Sequence, residues 1–459
     1  MGTLGSASAK VVDVNTAKNV GVNYCKSMGM SALPSDFSLV YSAVSQLNGT
    51  SITDFYVFNR AGGGFVIVSG DDNVKPVLGW SDGSSFQANI PESIASWLQT
   101  YSDQINYVVK NNIAPSKSVS DNWDLLKNNS KPFAAAKTTA GGVVAPLVRT
   151  RWGQDPFYND YCPYDASAAQ YTLSGCVATA MAQLMKYWNW PRRGMGNHSY
   201  TSGYGFLSAD YSTRVYQWDS MPAAVFVHNN AVATLMSDAG ISVDMWYGVT
   251  GSGAQVLGGG NCTETAFKEY FSYKPTLHSS YRYGQTDTDW VHLIKSEIDA
   301  KRPVIYTGYG TSGGHCFLAD GYKEDNFIHF NWGWGYTWDG FYVVERLAPG
   351  GTDFTNNQGI LVGVEPDSSV VVAVSTVTTA GSVSIYPNPA SDKIFVDLQG
   401  TKASSVRIID LSGREMMAVA VKSNATSVEI PVRELTNGIY FAEINTASGV
   451  ITSKVAVAK

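Results

Sequence analysis

The segment SGCVATAMAQLMKYW, residues 174–188, decides how the rest of the chain is read. Ala180, Leu184 and Trp188 recur every four residues, the spacing of one buried helical face. Ser174 is the expected N-cap, since its hydroxyl suits the free N–H groups of a first turn. Cys176 then falls in that turn, where unpaired amides and the positive end of the helix dipole favour a thiolate. A thiolate is the nucleophile that acyl transfer requires. An isolated cysteine is more often a small buried hydrophobe, so this reading needs a base elsewhere in the chain.

The chain has six histidines. His315 stands in VIYTGYGTSGGHCFLADGY, residues 304–322, a β-rich run broken by glycines. Gly314, directly before it, lets backbone pass close to a ligand and is taken as substrate-binding. His198, His228, His278, His292 and His329 lack such framing and are expected to be structural. NWGWG follows at 331–335. The Asn331 amide oxygen can orient an imidazole N–H, and Trp332 and Trp334 can wall that bond off from water. The tetrahedral oxyanion of acyl transfer needs donors of its own. Expected donors are the Cys176 N–H and Gln154, in RWGQDPFYN at 151–159.

Outside these segments the composition narrows the field. The 459 residues carry a net charge of −6 with no basic block, which argues against a nucleic-acid partner. Charged residues are only 15%, against 44 Gly, 26 Tyr and 12 Trp, so the chain reads as globular and loop-rich rather than disordered. Five cysteines without a CxxC pair fit neither a disulfide framework nor a zinc cluster. No metal or other cofactor is expected. No apolar run approaches the roughly 20 residues of a membrane span. The opening MGTLGSASAK lacks the layout of a secretory signal.

Four segments are expected. Residues 1–137 hold a small α+β unit and a linker. Within that unit Phe55–Asn59 and Phe65–Ser69, split by AGGG, form a hairpin. Asn89 caps a helix with Pro91 near its first turn and Ile94, Trp97, Leu98, Tyr101 and Ile105 on one face. From Pro115 to Gly142 the composition turns to Ser, Lys, Asn, Ala and Thr, an exposed linker with its cleavage point near 131–143. Residues 138–365 hold the chemistry, 366–383 a second linker, and 384–459 short alternating strands of a β-sandwich.

WGQ, SGCVATAMAQLMKYWNWP, GISVDMWYG, GGHCFLADG and HFNWGWG together resemble, in that order, the streptopain-like cysteine peptidases. GGGFVIVSGDDNVKPVLGWSDGSSF and ESIASWLQTYSDQI resemble the inhibitory propeptide of that family. YPNPASDKI, IIDLSGRE, LTNGIYFAEI and KVAVAK resemble the C-terminal sorting domain of type IX secretion cargo in Bacteroidota. The resemblance implies an α+β, papain-like peptidase domain between a propeptide and a β-sandwich. It further implies a secreted cysteine endopeptidase zymogen acting on protein or peptide substrates, and a virulence factor. Its implied partners are its own propeptide as inhibitor and the type IX machinery.

By resemblance, Cys176 is the nucleophile, His315 the general base and acid, Gln154 the oxyanion donor, and Asn331 with Trp332 and Trp334 the orienting group. Met245, Tyr247 and Ser252, in GISVDMWYGVTGSGAQ, are candidates for a subsite that favours a hydrophobic side chain. Cys316 departs from the family, which commonly carries Ala after the His. Two other readings carry weight: a surface adhesin on a decayed peptidase fold, and another papain-like amidase or transferase.

Overall fold

A computed structural model describes residues 11–128, 142–310, 313–323, 326–347, 357–369, 383–410, 415–446 and 449–459. It begins with α1 (Val14–Ser27), capped by Asp13, whose carboxylate accepts from the N–H groups of Asn15 and Thr16 at 2.9 and 3.1 Å. Four antiparallel strands follow: β1 (Phe37–Leu47), β2 (Thr50–Arg60), β3 (Phe65–Ser69) and β4 (Val77–Ser81). The expected hairpin is formed, pairing Phe55 with Ser69 through to Asn59 with Phe65. Its turn needs glycine: Gly64 sits at φ +97, and a Cβ there would lie 2.5 Å from the Ser81 carbonyl oxygen.

Helix α2 (Glu92–Lys110) buries Ile94, Trp97, Leu98, Tyr101 and Ile105, the face expected from their spacing. It starts later than expected. Pro91, not Asn89, is the N-cap, and no side chain caps it; the fixed proline φ of −57° sets the entry instead. A larger correction concerns the expected linker, because Lys117–Asn128 form α3. Trp123 and Leu126 are buried there, and the Trp123 indole donates to the Val74 carbonyl at 2.8 Å. Two apolar residues three apart anchor a helix that an average over polar composition hides. The expected cleavage region near 131–143 falls almost wholly outside the described residues.

The next stretch contains β5 (Tyr164–Asp165), β6 (Gln170–Tyr171), α4 (Cys176–Trp188), β7 (Asn197–Ser202), β8 (Gly205–Asp210), α5 (Asn230–Ile241) and α6 (Thr263–Glu269). After these come β9 (His278–Tyr281), α7 (Asp287–Asp299), β10 (Val304–Gly310), β11 (Gly313–Tyr322), β12 (Phe327–Asn331), β13 (Gly340–Val343) and β14 (Gln358–Val362). Ten strands make one sheet in the order β1-β2-β3-β4-β13-β12-β11-β10-β14-β9. The N-terminal strands join it at β4, where Trp80 pairs with Phe341 and Gly79 with Tyr342. The Tyr101 hydroxyl lies across that junction, 2.7 Å from the Val343 carbonyl and 3.1 Å from that of Leu78.

Two cores result. One gathers side chains from α1, β1–β4 and α2 together with Phe317, Phe330, Trp332 and Tyr342. The other surrounds α4 and α5, with Val177, Met181, Leu184, Leu235, Met236 and Met245 among its members.

The chain divides into two units, Met1–Asp367 and Ser368–Lys459. The second unit holds β15 (Ser384–Tyr386), β16 (Lys393–Asp397), β17 (Ala403–Ile409), β18 (Glu415–Ala420), β19 (Ser427–Pro431), β20 (Gly438–Thr446) and β21 (Gly449–Val457). These form sheets of order β15-β16-β19 and β18-β17-β20-β21 around a shared apolar core that includes Ile394, Val396, Ile408 and Ile444. No helix among the described residues is long and apolar enough to cross a membrane.

Candidate active site

Cys176 opens α4, but the cap differs from expectation. Gly175, at φ +89, is the N-cap. A Cβ there would meet the Met245 sulfur at 2.9 Å and the Ser252 carbonyl at 3.0 Å, so only glycine lets the helix start this close to the neighbouring loop. Ser174 is instead a tether: its N–H and hydroxyl both donate to the Gln154 carbonyl, at 3.2 and 3.1 Å. Gln154 is buried, and those bonds hold its backbone against Ser174, two residues before Cys176.

Cys176 is half-buried. Burial pushes its thiol up from its ordinary value, and hydrogen bonds from the backbone N–H groups of Cys316, Val177 and Cys176 itself offset only part of that rise. The amides at the helix end favour the thiolate, as expected, but desolvation outweighs them. The five cysteines are all unpaired.

His315 is carried by β11, opposite Gly308 of β10. Its ring stacks beside two aromatic neighbours, 5.5 Å from Phe317 and 5.7 Å from Trp332, at interplanar angles of 25° and 17°. Only 4% of the residue is exposed. Burial lowers its pKa to about 3, and a hydrogen bond with the Trp332 backbone recovers a little. Its Nε2 has no hydrogen-bond partner among the described residues. A neutral imidazole with one unsatisfied nitrogen can accept a proton once a donor comes within reach.

The residues of NWGWG divide their work. The Trp332 N–H donates to the Asp339 carboxylate at 2.8 Å, which fixes the ring against His315. Burial raises the Asp339 carboxyl to about 7, with His329 opposing that rise. Asn331 makes no hydrogen bond to His315. Its amide donates to the Thr150 carbonyl at 3.0 Å and accepts from Gln183 of α4 at 2.9 Å, so it pins β12 to that helix. Trp334 is half-buried against the core behind β11.

Cys176, Gly314, His315 and Cys316 line one cavity of about 820 Å³ with Val243 and Trp246. Met245, Tyr247 and Ser252 do not line it. Met245 is fully buried against Gly175, Tyr247 packs in the α4 core, and the Ser252 hydroxyl donates to the Leu173 carbonyl at 2.7 Å. The cavity wall in this loop is instead Val243, Asp244, Trp246, Ala254, Gln255 and Val256. The loop was legible as a wall, but which of its residues face inward depends on turns that no periodicity reports. Among the described residues no cluster of His, Cys, Asp or Glu is placed to hold a metal ion.

Comparison with known proteins now resolves the family. The Peptidase C10 family matches residues 152–342. Streptopain of Streptococcus pyogenes is 33% identical over 344 residues, covering 70% of this chain and 82% of that protein. The chain belongs to the peptidase C10 family. Its N-terminal region matches the Spi protease inhibitor family over residues 9–105, and residues 384–458 match the secretion system C-terminal sorting domain. A thiol protease/hemagglutinin, PrtT of Porphyromonas gingivalis, is 29% identical over 448 residues, covering 91% of this chain but 49% of that protein. A fragment of Prevotella intermedia prointerpain A, solved as a Cys-to-Ala mutant, superposes with a TM-score of 0.56 at 29% identity, covering 71% of this chain and 99% of that one. This C10 peptidase is thus a cysteine endopeptidase made as a zymogen, with an inhibitory propeptide and a sorting domain for type IX secretion from a Bacteroidota-type cell.

Proposed function

We propose that the zymogen is silent because its propeptide stabilises the base in a buried, unpaired state. One observation carries this reading. Trp97 of α2, in the propeptide, packs against Phe317, Phe330 and Trp332 with ring centroids at 6.1, 5.1 and 6.2 Å, and Phe317 and Trp332 are the rings stacked on His315. Release of α2 uncovers that cluster and frees the imidazole to meet Cys176. Cleavage within or beside residues 129–141, which lie outside the described residues, separates the propeptide from the peptidase domain.

In the mature enzyme His315 Nε2 takes the Cys176 proton, and the thiolate attacks a peptide carbonyl of a protein substrate. The Cys176 N–H and the Gln154 side chain hold the tetrahedral oxyanion. His315 returns the proton to the leaving amine, and water hydrolyses the thioester. Trp332 orients the imidazole from behind, while Asn331 acts through the α4–β12 junction rather than on the ring.

The test is self-processing in reducing buffer. The wild-type chain releases a fragment whose new N-terminus falls near 131–143, and Cys176→Ala lowers both peptide hydrolysis and self-cleavage by about 10⁴-fold or more. A purified Cys176→Ala protein that matures unaided ends the proposal.

A further inference from the structure

Two of the five cysteines share the cavity. Cys176 and Cys316 both line it, whereas Cys25, Cys162 and Cys262 are not among its described lining residues. Alternation along β11 decides which way Cys316 points. Phe317 belongs to the core shared with the propeptide, while Cys316 and Leu318 belong to the core around α4, against which Cys176 also packs. The Cys176 sulfur accepts a hydrogen bond from the Cys316 backbone N–H, so the two residues meet at the head of α4. Burial, and then the nearby Cys176, push the Cys316 thiol well above its ordinary value, so it stays protonated.

The same corner holds polar groups with nothing bound to them. Thr307 of β10 pairs directly with Cys316, lines the cavity and is 2% exposed, and its hydroxyl has no hydrogen-bond partner among the described residues. His315 Nε2, on the adjoining wall, is likewise unpartnered. A small hydroperoxide finds a donor and an acceptor there, beside the nucleophile.

We propose that Cys316 is a resolving thiol: when a hydroperoxide oxidises Cys176, Cys316 closes a disulfide with it and so makes the loss of peptidase activity reversible. The proposal rests on the peptidase reading of Cys176 and extends it to control of the same site. His315 takes the Cys176 proton as it does for a peptide substrate, and the thiolate attacks the nearer peroxide oxygen. An S–O bond forms, the O–O bond breaks, and the leaving oxygen takes that proton as water or an alcohol, which leaves Cys176 as sulfenic acid. The Cys316 sulfur then attacks the Cys176 sulfur. An S–S bond forms, the S–O bond breaks, and the hydroxide departs with the Cys316 proton as water. Two electrons have passed from the thiol pair to the peroxide. Closure is intramolecular, whereas the competing step to sulfinic acid needs a second peroxide, so contact favours the disulfide. A thiol reductant reverses it by exchange.

Matured enzyme, reduced and freed of thiols, is treated with hydrogen peroxide until peptide hydrolysis stops, alkylated in denaturant and mapped by mass spectrometry. The expected product is a cross-linked Cys176–Cys316 peptide pair lighter by two hydrogens, with most of the activity regained in dithiothreitol. In Cys316→Ala, measured against its own untreated activity, Cys176 runs on to sulfinic acid and that recovery is lost. Cys176 oxidised in the wild type while Cys316 is alkylated overturns the pairing, and this result needs no variant to fold. Equal recovery in Cys316→Ala overturns it too. Mapping the full-length chain reads the thiols without any maturation. A cross-link there, with no peptide hydrolysed before oxidation or after reduction, overturns the peptidase reading and the control of activity with it; no cross-link in an enzyme that cleaves peptide overturns the thiol pair alone.

Discussion

The two cores of the first unit are built on different principles. The core around α4 begins at Val148 and contains no residue of the propeptide. The core behind His315 interleaves both parts, with Trp80 stacked on Phe341 at 4.8 Å and Trp97 against Phe330 at 5.1 Å. The nucleophile therefore sits on a scaffold that the peptidase domain supplies from its own residues. The base sits on a scaffold that the propeptide helps to complete. Under the function proposed above, inhibition works by packing: Trp97 of the propeptide acts through Phe317 and Trp332, the rings stacked on His315.

The largest effect expected from this asymmetry is at Trp97. Trp97→Ala removes a large ring from the shared core and destabilises the zymogen by about 3–5 kcal/mol. Self-processing should accelerate with it. Leu235→Ala, in the α4 core, costs a comparable 2–5 kcal/mol, again roughly, but leaves the rate of maturation unaltered. Thermal unfolding and timed gel analysis of both variants check this; equal acceleration by both erases the distinction between the cores.

A smaller effect is expected where the halves are tied together. Gln183 of α4 accepts from the Thr150 hydroxyl at 2.9 Å and donates to Asn331 at the same distance. Gln183→Ala strands those buried groups and costs about 1–3 kcal/mol. Because the tie is mechanical, kcat on peptide substrates should fall with the pH profile keeping its shape. A shifted pKa in the profile would give Asn331 a direct hold on the imidazole.

The last effect is electrostatic and shows only on acidification. In the zymogen His315 is buried neutral with its pKa lowered to about 3, against about 6.5 for an unfolded histidine. Between those values the unfolded chain binds the extra proton, so this group makes the zymogen lose stability as pH falls from about 6.5 toward 3. Comparing His315→Gln with its parent, both in a Cys176→Ala background, isolates the contribution. The parent should lose ground steadily on acidification in that window, and a pH-independent difference in unfolding midpoint would mean that the ring is solvated.

Much of the site was legible because its chemistry is local. A cysteine before a helical apolar period and a histidine after glycines can be read from neighbours alone, and both line the cavity. The helix Lys117–Asn128 was missed because two buried side chains among polar ones carry no periodic signal of their own. Asn331 was read as a partner of His315 from residue type, whereas its amide is spent on Thr150 and Gln183.

The sequence by itself determined which residues could do chemistry, where α2 and α4 begin to within a residue or two, and that three kinds of segment follow one another. The tertiary structure alone decided that β4 continues the sheet of the peptidase domain through β13, that His315 lies buried among the rings beside Trp97, and that Asp244 rather than Met245 faces the cavity. The reason is physical. Propensity, capping and reactivity act between near neighbours along the chain. Desolvation, ring stacking and strand pairing depend on partners far apart in sequence, and they have no value until the chain has folded.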